Sequence, residues 1–138
     1  MISALNRQGE VRYMLYEDSM NQQHLITFMR NIIQTSKQKI FLILDNLRVH
    51  HGKLVAEWVS RHQDKIELFF LPPYAPESNP DEYLNHALKL SVHSGDLPED
   101  CSDIRHKTNS FMRSLQRNKD KVSAFFRHPM ISYTLIQR

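Results

Sequence analysis

Ile40-Phe41-Leu42-Ile43-Leu44-Asp45-Asn46 is an unbroken apolar run that ends on an acid. It is too short for a buried helix and fits a central strand covered on both faces. An acid directly after such a strand stands at the carboxyl rim of a sheet, where open α/β folds place their ligands. It serves equally well as a helix cap. Asn46-Leu47-Arg48-Val49-His50-His51 adds further polar groups at the same rim.

The flanks of this run alternate between helical and strand patterns. Leu25, Phe28, Met29, Ile32 and Ile33 recur at three- and four-residue steps and predict an amphipathic helix over about 21–36. Leu54, Val55, Trp58 and Val59 predict a second helix over about 52–62, and residues 66–71 a strand stopped by Pro72-Pro73. Ahead of these, residues 2–5 and 11–16 form strand-like runs joined by a turn rich in Asn and Gly, a hairpin pattern. Strand, strand, helix, strand, helix, strand predicts an α/β domain with parallel strands in its later half. Further helices are expected from Pro80 to the loop at residues 94–98, over 103–118, and in a shorter piece carrying Val122, Phe125 and Phe126.

Composition narrows the class. With 41% hydrophobic and 24% charged residues in 138, the chain matches globular averages and is long enough for one core. No stretch is long and apolar enough to span a membrane, and residues 1–7 lack the layout of a signal peptide. Cys101 is the single cysteine, so neither an internal disulfide nor a cysteine-based zinc site is expected, and a reduced cytoplasmic setting is. Charge is uneven. Residues 104–138 hold eight Lys/Arg against Asp120 alone, whereas residues 1–103 carry a net −4. A basic tail on an acid-bearing body suits phosphate and cation binding, although a solvated basic helix has the same composition.

The second informative stretch is Leu71-Pro72-Pro73-Tyr74-Ala75-Pro76-Glu77-Ser78-Asn79-Pro80-Asp81-Glu82. Three prolines stiffen the loop that delivers Asp81 and Glu82 to a helix start. Acids there also complement the helix dipole, a sufficient reason for either one. Glu82, His86 and Lys89 step by four and three and so share a face, with Asn85 at its edge. Such a face could hold a metal and contact phosphates, or be an ordinary solvated stripe.

Ile43-Leu44-Asp45-Asn46-Leu47-Arg48-Val49-His50-His51 resembles the second-aspartate motif of mariner-related bacterial insertion-sequence transposases of the DDE superfamily. Residues 71–85 are similar to their third-carboxylate motif, in which the acid after Asn-Pro-X is the metal ligand. That choice selects Glu82 over Asp81, and the separation of 37 residues from Asp45 is within the family's range. The resemblance implies a ribonuclease-H-like mixed sheet flanked by helices. The catalytic-domain portion would span 1–95, with a basic helical extension over 96–138. It also implies Mg2+ or Mn2+ held by Asp45 and Glu82, with Arg48, His50, Asn85, His86 and Lys89 as possible DNA or site contacts. Magnesium takes oxygen ligands and keeps several waters, so a few carboxylates and DNA phosphates complete its shell. Two such ions can activate the attacking oxygen and stabilise the leaving one in an in-line displacement.

The family's first aspartate has no counterpart among these residues. Glu10 sits in the hairpin turn, and Glu17 and Asp18 follow the second strand-like run. The expected fold therefore lacks its first strand. The resemblance implies the carboxy-terminal part of a transposase catalytic domain, inactive alone, acting on transposon-end and target DNA. The alternative is a non-catalytic regulatory fragment that binds DNA or interacts with full-length transposase; the partners expected besides DNA are a second copy of the chain or full-length transposase.

Overall fold

The computed structural model describes residues 1–73 and 75–131. Tyr74 of the proline loop and residues 132–138 of the basic tail lie outside the described residues. The elements run β1 (Ile2–Leu5), β2 (Val11–Met14), α1 (Gln22–Gln34), β3 (Ile40–Leu44), α2 (Lys53–Ser60), β4 (Ile66–Phe70), α3 (Pro80–Val92), α4 (Cys101–Gln116) and α5 (Lys119–Ala124). The chain divides into two compact units, residues 1–2 with 14–76 and residues 3–13 with 77–138.

In the first unit β3 and β4 pair in parallel, with Ile40 opposite Ile66 and Leu44 opposite Phe70. This is the crossover expected of a strand, a helix and a second strand. Asn21 caps α1 by accepting from the His24 N–H at 2.8 Å, which contributes about 1 kcal/mol. The apolar face of α1 then buries Leu25, Ile26 and Met29 against Val55 and Trp58 of α2 and Ile66 of β4. Each such side chain contributes roughly 1.5–3 kcal/mol. Gln22 ties the two helices at their starts, its Oε1 accepting from the Val55 N–H at 3.2 Å.

The expectation that β3 is covered on both faces is not met. Ile40 and Leu42 face the core formed by α1 and α2, while Phe41 is 61% exposed and Ile43 44% exposed. Strand side chains alternate between faces, and both helices of this unit lie against the same one. Leu54 also departs from its expected stripe, because one residue turns a helix by about 100° and carries it off the line of Val55 and Trp58 into solvent.

In the second unit β1 and β2 form a hairpin-linked pair. Leu84 and Val92 of α3, Met112 and Leu115 of α4, Val122 of α5, and Phe126 are buried. Asp100 caps α4, accepting from the Asp103 N–H at 2.9 Å, so this helix starts two residues earlier than Asp103. Phe125 and Phe126 fall in a 3-10 turn that follows α5. The second strand ends at Met14 rather than Tyr16.

A mixed α/β chain is thus observed, with a correction to the sheet. The described strands form two separate two-stranded sheets, β1–β2 and β3–β4, in place of one mixed sheet. Among the described strands none hydrogen-bonds to both pairs, which a single sheet would require. No helix among the described residues is long and apolar enough to cross a membrane.

Candidate functional site

Asp45 follows β3 directly and is half-buried, at the carboxyl end of a parallel strand. A 3-10 turn, Arg48–His51, comes next and is built around two histidines. His50 is buried and donates from Nδ1 to the backbone carbonyl of Asp45 at 2.6 Å. His51 bonds through Nε2 to the Asn46 side-chain oxygen and stacks on Phe70 with ring centroids 4.1 Å apart. The loop after β3 is therefore pinned at two successive residues, while Arg48 is exposed.

An open groove of about 570 Å³ runs beside this loop, lined by His50, His51, Val55, Val59, Ile66 and Phe70 among others. Its walls come from α2 and β4, so it depends on how two elements pack. Sequence reading found the histidines and missed the groove, since apolar spacing locates each element without locating the space between them.

The acids of the second carboxylate motif, Asp81 and Glu82, belong to the second unit. Asn79 caps α3 by accepting from the Asp81 N–H at 3.0 Å, and Pro80 occupies the first helical turn, where its missing N–H costs nothing. The two acids then part company. Asp81 is half-buried, accepts a hydrogen bond from the Ser3 hydroxyl, and lies 3.4 Å from Asn85 Nδ2. Glu82 is exposed, and among the described residues its carboxylate has no hydrogen-bond or ion-pair partner. His86 and Lys89 are exposed on the same face, as the four–three spacing requires. Asn85 points its amide at Asp81 within the fold.

Asp45, Arg48 and His50 thus share one loop, and Glu82, His86 and Lys89 one helix face. Carboxylate oxygens suit a hard divalent cation, which is the donor type both acids offer. Among the described residues, however, no three His, Cys, Asp or Glu side chains gather into a group that could hold a metal ion. Any ion held here would need water or phosphate oxygens to complete its shell.

Residues 1–105 match the family described as DDE superfamily endonuclease, and the chain belongs to that family. No curated protein matches the chain. Domains of this family act on DNA, and nucleases of the superfamily generally use divalent metals.

Proposed function

We propose that the chain supplies the second and third carboxylates, Asp45 and Glu82, of a transposase of the mariner-related insertion-sequence type. Its reaction is metal-dependent cleavage and strand transfer of DNA. In that enzyme these elements would form the larger part of a ribonuclease-H-like fold, with the catalytic portion in residues 1–95 and a basic helical extension over 96–138. Magnesium or manganese would be held by Asp45 and Glu82, where it would activate the attacking oxygen and offset charge on the leaving one. His50 fixes the backbone that presents Asp45, and Asp81 anchors the start of α3 so that Glu82 faces solvent. Arg48, His86 and Lys89 would contact phosphates near those carboxylates. The observation that carries this reading is the division of labour between adjacent acids. Asp81 is engaged by the fold, and Glu82 is bare in a chain whose first 105 residues match DNA endonucleases.

Residues 1–138 hold two of the three carboxylates, and the proposal is that they do not cleave DNA alone. The expected result is Mn2+ binding that weakens on Asp45→Asn and on Glu82→Gln, followed by electron paramagnetic resonance, without nicking of supercoiled DNA. Mn2+ affinity unchanged in both variants would sink the metal-ligand assignment. Nicking by the wild-type chain that disappears in either variant would show that two carboxylates suffice. The second reading is a non-catalytic DNA-binding or transposase-associating fragment. Under that reading DNA is bound with no metal dependence at all.

A further inference from the structure

The exposed face of α4 breaks a local rule. Arg113 and Arg117 stand four residues apart, so their like charges cost the helix a few tenths of a kcal/mol. Neither guanidinium has an ion-pair partner among the described residues. His106 and Ser110 complete the stripe at steps of four and three, opposite the buried Met112 and Leu115. The acids at the start of α4 are engaged there, and at its other end Glu10, which accepts from Asn6 Nδ2 at 3.1 Å, and Asp120 stand against the four cations Arg7, Arg113, Arg117 and Lys119. Asp100 caps the helix and Asp103 accepts from the Glu99 N–H at 3.0 Å, both at the start of α4. Asp120 is the one acid beyond residue 103.

The hairpin extends this stripe. Ser123 of α5 donates to the Arg7 carbonyl at 2.9 Å, and Gly9 packs on the backbone of Lys119, which lies 2.3 Å from where a Cβ on Gly9 would stand. On the same unit, Gln116 donates to the Val11 carbonyl at 3.2 Å and Tyr13 to Asn109 at 2.8 Å. These bonds hold the hairpin on α4 and α5, so exposed Arg7 and Lys119 lie at the end of α4 where Arg117 sits. A ridge carrying Arg7, Lys119, Arg117, Arg113 and His106 results. From His106 to Arg117 it runs about 16 Å along the helix, and the two arginines are about 6 Å apart along the axis. Phosphates follow one another every ~3.4 Å of axis along one DNA strand, so this length meets several of them.

We propose that this ridge binds the phosphate backbone of duplex DNA. All of it except Arg7 lies beyond residue 105, where the family match ends. The inference rests on the DNA-processing role proposed above but not on the metal ligands. Guanidinium forks suit phosphate oxygens bidentately, and a stripe with net positive charge suits a polyanion better than a protein surface of mixed sign.

The test is fluorescence anisotropy of a labelled 25–30 base-pair duplex (about that length) with the full chain in EDTA, across a KCl series. Arg113→Gln/Arg117→Gln is expected to bind about tenfold or more weakly near 0.1 M salt. The salt slope should fall by about 1.8, or 0.9 per phosphate contact. Lys37→Gln/Lys65→Gln, exposed cations of the other unit with the same change in charge, should bind like wild type. Arg113→Lys/Arg117→Lys should retain most of the slope, which separates charge loss from misfolding. Equal losses in the two Gln pairs, or no loss at Arg113 and Arg117, would overturn the ridge. So would tighter binding of polyglutamate than of duplex, which would assign the face to an acidic polypeptide. Because EDTA removes the metal, failure of the Asp45 and Glu82 assignment leaves these results unchanged, and failure of the ridge leaves the Mn2+ titration unchanged.

Discussion

His50 donates to the carbonyl of Asp45 across 2.6 Å from a ring that is buried at 8% exposure. The imidazole closes a five-residue loop onto the end of β3 and fixes the backbone from which the Asp45 side chain leaves. His50→Ala removes both the bond and its packing, so a loss of about 1–3 kcal/mol is expected in urea unfolding. His50→Asn can keep a donor and should recover part of it. Equal stabilities for wild type and His50→Ala would show that the bond is idle.

The neighbouring acids Asp81 and Glu82 are expected to respond in opposite ways. Asp81→Ala strips a charged acceptor from the Ser3 hydroxyl and from the first turn of α3, at about 1–2 kcal/mol. Glu82→Gln touches no partner among the described residues and should stay within about 0.5 kcal/mol of wild type. Thermal unfolding of the two variants side by side decides it. Comparable losses would mean that Glu82 is also structural.

The β3–β4 pair exposes Phe41, Ile43 and Phe69 on one face. Replacing Phe41 and Phe69 with Thr should reduce binding of a hydrophobic dye and slow aggregation, with a stability change below about 1 kcal/mol. Leu25→Ala, in the buried cluster on the other side, should cost about 2–5 kcal/mol. A dye signal that stays unchanged in the double Thr variant would place the accessible apolar surface elsewhere.

Much of this was legible because short-range rules govern it. Asn21 and Asn79 stand where capping chemistry wants them, Pro80 occupies a first turn, and the apolar spacing of Leu25 to Met29 locates α1. The choice of Glu82 over Asp81 came from the resemblance, and the structure adds a physical contrast between the two. The open face of β3 was not legible, because an apolar run states that a strand prefers burial without saying what covers each face. Nor was the anchoring of Asp81 by Ser3, a contact spanning 78 residues for which no local pattern exists. The excess charge of the tail was visible as composition. Its concentration on one face of α4 beside the hairpin needed Arg7, Gly9 and Ser123 in place.

Gly9 and Gly95 both adopt positive φ, at 91° and 70°, yet they should tolerate substitution differently. A Cβ on Gly9 would collide with the Lys119 backbone, whereas one on Gly95 meets nothing within 4 Å. Gly95→Ala therefore carries only the backbone penalty of roughly 1 kcal/mol, and Gly95→Asn less. Gly9→Ala adds a steric clash with backbone and should cost about 2 kcal/mol or more. It should also weaken duplex binding, by moving the hairpin away from α5. Urea midpoints that rank Gly95→Ala as the worse variant would contradict this packing.

Asp18 makes stability respond to acid in a defined direction. His24 bonds to its carboxylate at 2.6 Å and stacks on Tyr16 with centroids 4.7 Å apart. The bond from His24, helped by a backbone N–H, holds the Asp18 carboxyl below its ordinary value. A carboxylate whose folded value is lowered stabilises the fold above the unfolded value, near pH 4. That contribution is lost as pH falls through the folded value. Asp18 is largely exposed, so the effect is small and screened by salt. Carbon-detected NMR titration should place the Asp18 midpoint below that of an unpaired aspartate in wild type and return it toward the ordinary value in His24→Ala. Asp18→Asn should then flatten the stability profile below about pH 4 while leaving its neutral-pH shape intact. An Asp18 midpoint that does not move in His24→Ala would remove the imidazole as the cause.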